Sequence, residues 1–79
     1  MELSRRELRM LRAVADGRAE VSCSCEPDMR IDGLACCDQY TAHRLSELGL
    51  VRGVALATVG TFVRAELTSV GLELVRGAA

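Results

Sequence analysis

Lysine is absent from the 79-residue chain, so all ten basic residues are arginine. Together with the abundance of Ala, Gly and Val, that usage reads as GC-rich coding and not as a functional choice. Nor is there a surplus of positive charge: eleven acidic residues leave a formal net charge of −1. Nucleic-acid-binding domains draw much of their affinity from phosphate neutralisation, so any basic patch here must be local. No apolar run approaches the ~20 residues of a membrane-spanning helix, and no signal-peptide pattern opens the chain. A cytoplasmic location without a membrane partner is the expectation. His43 is the only histidine, and no serine or cysteine has an evident base and orienting group beside it. A Gly-rich phosphate loop and a paired-carboxylate motif are missing too. An enzyme is therefore not expected.

What is present suits a globular chain: 49% hydrophobic and 27% charged residues, too apolar for disorder. Residues 1–79 are read as one small domain, burying only about 60–65% of its unfolded surface and so carrying a thin core. The central stretch is Asp38–Arg52. Asp38 fits an N-cap, and Ala42, Leu45 and Leu48 form an apolar stripe with Thr41 beside it. Gln39, Tyr40, His43, Arg44 and Glu47 are left outward. Gly49 stands where a left-handed residue ends a helix, and Leu50 can fold back on the last turn.

Upstream, Ser4 and Glu7 fit a capping box, and Leu3 with Leu8 fit a hydrophobic staple. Leu8, Leu11, Val14 and Ala15 are the expected buried face, with Met10 at its flank and Gly17 as the stop. Arg5, Arg6, Arg9 and Arg12 fall mainly on the solvent side. The period then changes to two: Ala19, Val21, Cys23 and Cys25 alternate with polar residues, and Met29 and Ile31 with Arg30 and Asp32. With Glu26-Pro27-Asp28 as turn chemistry, residues 19–25 and 29–35 are expected to pair as a β-hairpin. Downstream of the central helix, 51–55 and 61–67 read as strands around a tip at 56–60. Thr68 is an expected N-cap for a terminal helix of about two turns ending near Gly77.

Four cysteines, Cys23, Cys25, Cys36 and Cys37, fall within fifteen residues. Stable disulfides are not expected of a cytosolic chain. Cys23 and Cys25 share a strand face, so with Cys36 or Cys37 and His43 they could hold zinc, although the spacing is no recognised zinc signature. Redox sensing is another reading. The leading one is structural, with Cys23 and Cys25 on the buried hairpin face and Cys36 and Cys37 packed where strand meets helix. No cofactor is expected.

Leu45-Ser46-Glu47-Leu48-Gly49-Leu50-Val51 resembles the L-x-x-L-G-L-V junction of winged-helix regulators of the MarR and PadR kind. Leu67-Thr68-x-x-Gly71-x-x-Leu74 resembles the L-T-x-x-G-x-x-L that follows their wing. The opening Ser4-Arg5-x-Glu7, the hairpin and the Asp38 helix are also similar to YjhX-type small bacterial proteins, a toxin-like group. The resemblance implies an α+β fold, a compact winged-helix variant with a β-hairpin where the second helix would stand. It implies a small bacterial or phage DNA-binding transcriptional regulator, working as a homodimer. Gln39, Tyr40, His43 and Arg44 would face the groove, and Arg52 and Arg64 would touch phosphate. Against this, Glu47 is acidic and the wing tip, residues 54–60, has no charge. Exposed apolar tips favour protein contacts. The alternative is thus a toxin- or inhibitor-like protein-interaction module, with Leu56, Val59 and Phe62 at its partner interface. A thiol- or metal-responsive sensor is the third reading.

Overall fold

The computed structural model describes residues 2–78, so Met1 and Ala79 of the expected 1–79 unit lie outside the described residues. Its elements, in chain order, are α1 (Arg5–Ala15), β1 (Ala19–Ser22), β2 (Met29–Ile31), β3 (Leu34–Ala35), α2 (Gln39–Glu47), β4 (Val51–Gly53), β5 (Phe62–Leu67) and α3 (Ser69–Gly77). The class is α+β, as expected. The strands form one antiparallel sheet in the order β3-β2-β1-β5-β4. None of the described helices is long and apolar enough to cross a membrane.

Alternation along the strands decides which side is core. Ala19, Val21, Met29, Ile31, Val51, Val63, Ala65 and Leu67 share the face that meets Met10, Leu11 and Val14 of α1 and Ala42 and Leu45 of α2. The alternate residues Glu20, Arg30, Arg52, Arg64 and Glu66, which pair with one another across the strands, turn to the other face, where the Arg30 guanidinium lies 3.7 Å above the Phe62 ring.

The helix starts follow their caps. Ser4 Oγ accepts from the Glu7 N–H, while Glu7 Oε1 accepts from the Ser4 N–H, closing the capping box. Asp38 accepts from both the Thr41 N–H and the Thr41 hydroxyl. Gly49 ends the α2 segment at φ 73°, and Leu50 folds under it to full burial.

Several expectations change. The buried face of α1 is Met10, Leu11, Ala13 and Val14; Ala15 is exposed and Met10 belongs to the core. Residues 29–35 are not one strand, because Asp32 (φ 55°) and Gly33 (φ 81°) make a two-residue left-handed turn that folds β3 back on β2. Finally, β1 stops at Ser22 and does not run to Cys25. The Ser22 hydroxyl and backbone N–H engage Asp28, turning residues 23–28 out as a loop. The return strand also starts one residue late, at Phe62, and β4 ends at Gly53.

The Leu45–Val51 and Leu67–Leu74 motifs on either side of the β4–β5 pair are parts of a single joint. The Thr68 hydroxyl donates to the Gly49 carbonyl and accepts from the Gly71 N–H, while the Thr68 N–H donates to the Leu50 carbonyl. Gly71 lies so close on that carbonyl that an added Cβ would collide with its oxygen. Glycine is required here for the close approach. Replacing Gly71 with Ala is expected to cost about 3 kcal/mol by overpacking, lowering Tm by roughly 10 °C or more in a domain of this size. Thermal denaturation followed by circular dichroism checks it, with Gly77→Ala, which has open space around it, as the near-neutral control.

Candidate functional site

The outward face of α2 is already engaged by the chain's own groups. Gln39 does not face solvent as a reader of bases would. Its side-chain oxygen accepts from the Met29 N–H at 2.8 Å, and its amide nitrogen donates to the Met29 and Cys36 carbonyls at 3.0 and 2.7 Å. It is the clamp between β2 and the start of α2. His43 Nε2 lies 2.9 Å from Asp28 Oδ1, Arg44 Nε donates to Glu7 Oε2 at 3.1 Å, and Arg52 Nε to Glu66 Oε2 at 2.7 Å. Tyr40 and Arg64 are exposed, with no side-chain hydrogen bond or ion pair among the described residues. Of the six expected DNA-contacting side chains, four are therefore held by partners within the fold.

Those partners were missed at the level of sequence. Arg44 and Glu7 are thirty-seven positions apart, and nothing local relates them. The Arg52–Glu66 pair follows from the β4–β5 register, which sets the two residues opposite each other. Asp28 reaches His43 only because the Ser22 clasp fixes the 23–28 loop.

At the β4–β5 end the apolar face of the sheet runs out beyond the helices and forms an open trough of about 860 Å³. Val21, Val51 and Val63 make its floor, Cys23, Cys25 and Pro27 one bank, and Leu56 and Val59 the other. Leu56 is fully exposed and Val59 is 83% exposed. The expected trio of Leu56, Val59 and Phe62 is divided, since Phe62 is half-buried beneath Arg30 on the opposite side of the sheet. The residues that make the trough apolar, Val21 and Val63, read in sequence only as core.

The cysteines do not assemble. All four thiols are free, and among the described residues no group of three His, Cys, Asp or Glu side chains is placed to hold a metal ion. Cys23 and Cys25 border that trough, whereas Cys36 and Cys37 line a separate cleft against α1. The residues present do not fit the zinc site considered from the spacing. The structural reading also needs correction, because Cys25 and Cys37 are exposed and only Cys36 packs against the core. Cys25 lies past the end of β1, so period two no longer turns it inward.

Comparison of the chain with protein-family models, curated proteins and solved structures finds no match. The local geometry is thus the basis for any assignment.

Two carboxyl groups in this region titrate abnormally. The Ser4 N–H, with help from the Ser4 hydroxyl and Arg44, holds Glu7 below the usual carboxylate range. The Thr41 hydroxyl and N–H, with Arg6, do the same for Asp38. With folded pKa values depressed, the stability these groups contribute is complete above about pH 5 and is lost as pH falls through those values. The fall in Tm between neutral pH and about pH 3 should therefore be smaller in the Glu7→Gln, Asp38→Asn double variant than in the unmodified chain. Thermal melts across that range measure it.

Proposed function

We propose that this chain is a winged-helix variant that works as a protein-interaction module, and that its first partner is a second copy of itself. The reading of the fold is supported by connectivity: α2 passes through Gly49 into β4, β4 pairs with β5, and β5 returns to β1. The β2–β3 hairpin stands where the second helix of a helix-turn-helix would be. The observation that carries the function is the fully exposed Leu56 beside an apolar trough. Exposed apolar surface of this kind is a mark of protein contact.

A second copy suits the surface chemically. The tip at residues 54–60 has no charge, and Arg52, the one ionised trough residue, is already paired with Glu66. An uncharged apolar bank is best met by another such bank, and a two-fold axis lets each Leu56 enter the other protomer's trough. Burying Leu56 contributes about 2 kcal/mol per protomer. With two Leu56 side chains buried per dimer, about 4 kcal/mol in all, Leu56→Glu is expected to weaken self-association roughly a thousandfold, without lowering the Tm of the dilute protein. Sedimentation velocity over a concentration series measures the first effect. A protein that stays monomeric throughout, or a variant that associates as well as the parent, would remove this reading.

DNA binding is the second reading, favoured by the exposed Tyr40 and Arg64 on the two elements that a winged helix turns to a duplex. The intramolecular pairs of Arg44 and Arg52 weigh against it, because phosphate would have to displace Glu7 and Glu66. Fluorescence anisotropy with duplex DNA at low and high salt separates the two. The module reading predicts no salt-sensitive binding, whereas affinity falling steeply with salt would transfer the function to DNA.

A further inference from the structure

Away from the wing, α1 carries a stripe whose apolar members, Met10 and Ala13, are buried and whose arginines, Arg6 and Arg9, are exposed. Arg6, Arg9, Met10 and Ala13 follow the i, i+3, i+4, i+7 spacing of one helix face. Across from this face stand Ile31 at the end of β2 and the Cys36–Asp38 segment that leads into α2. The result is a cleft of about 650 Å³, within the ~300–1,000 Å³ usual for small-molecule sites. Met10 and Ala13 form one side of its floor, with Ile31 and Cys36 on the other.

The rim is cationic, and its partners decide how much charge it can accept. Arg6 Nη1 is 3.2 Å from Asp38 Oδ2, and Arg18 Nη1 is 3.0 Å from Asp32 Oδ2, with Asp16 farther off at 3.8 Å. Arg9 has no ion pair among the described residues. It stands one helical turn after Arg6, beside the apolar floor. One available guanidinium fork matches one planar carboxylate, which it can bind with two parallel hydrogen bonds. A phosphate dianion would bring a second charge toward Asp38, which the rim does not neutralise.

We propose that this cleft is a binding site for a compact amphipathic carboxylate, its ring or branched chain on the Met10–Ile31 floor and its carboxylate on Arg9. The site is independent of the wing and of the function assigned to it. Cys37, exposed at the same cleft, is a natural reporter of occupancy.

The test titrates the intact chain with naphthoate, with uncharged naphthalenemethanol and with inorganic phosphate, followed by amide NMR. Naphthoate should give saturable shifts confined to α1, Ile31 and residues 36–38, and should slow alkylation of Cys37 relative to Cys25. Arg9→Gln, a change at an exposed position, should weaken naphthoate about tenfold or more. Naphthalenemethanol should bind weaker by a similar factor, and phosphate should give no saturable shift. Naphthoate binding that is unchanged in Arg9→Gln, shifts gathered elsewhere, phosphate binding as well as naphthoate, or no saturation by naphthoate would each overturn the proposal.

Discussion

The contact of the Thr68–Gly71 turn with the Gly49–Leu50 peptide is the constraint on which the rest of the fold depends. It ties the end of α2, the base of the β4–β5 pair and the start of α3 into one knot. A single hydroxyl, that of Thr68, satisfies a carbonyl at the end of the α2 segment and an N–H at the start of α3. Helix ends leave such groups without intrahelical partners, so one side chain serving two termini is effective in a domain with little core. Gly71 permits the approach, and the buried Leu50 beneath it links the joint to Leu11 and Leu45. Once that joint is made, β4 and β5 leave it in register, and β5 adds to β1 to complete the sheet.

A second consequence concerns charge. With almost equal numbers of acidic and basic residues, the fold answers several of its arginines internally: Arg44 by Glu7, Arg52 by Glu66, Arg6 by Asp38 and Arg18 by Asp32. Exposed pairs of this type contribute little to stability. Their weight lies in what they leave available. The positive strip expected along α2, β4 and β5 is largely neutralised, while the tip at residues 54–60 stays apolar and Arg9 stays open. The surfaces that remain available to partners are thus the ones sequence would rank second.

Legibility in the sequence followed the range of the interaction. Caps and stops were readable because their partners lie within four residues: Ser4 with Glu7, Asp38 with Thr41, Thr68 with Gly71, and Gly49 at its left-handed position. The β4–β5 pair was readable from alternation, except at its ends. The 29–35 segment was misread because Asp32, a non-glycine residue, adopts a positive φ beside Gly33, and a strand pattern continues on both sides of the turn. Gln39 looked like a groove-facing residue because helical period puts it outward. Its position at the first turn instead lets its amide reach back to the backbone of Met29 and Cys36. The Arg44–Glu7 and His43–Asp28 pairs join distant segments and have no local signature, and the same is true of the separation of the cysteines into two cavities.

Native-state hydrogen exchange tests the central joint most directly. If the Thr68–Gly49–Leu50–Gly71 knot holds the fold together, the Thr68 amide, bonded to the Leu50 carbonyl, should open only with global unfolding. The amides of residues 55–59, in the β4–β5 connection, should exchange much faster. A Thr68 amide that exchanges as fast as that connection, while Leu11 and Leu45 stay protected, would contradict the account.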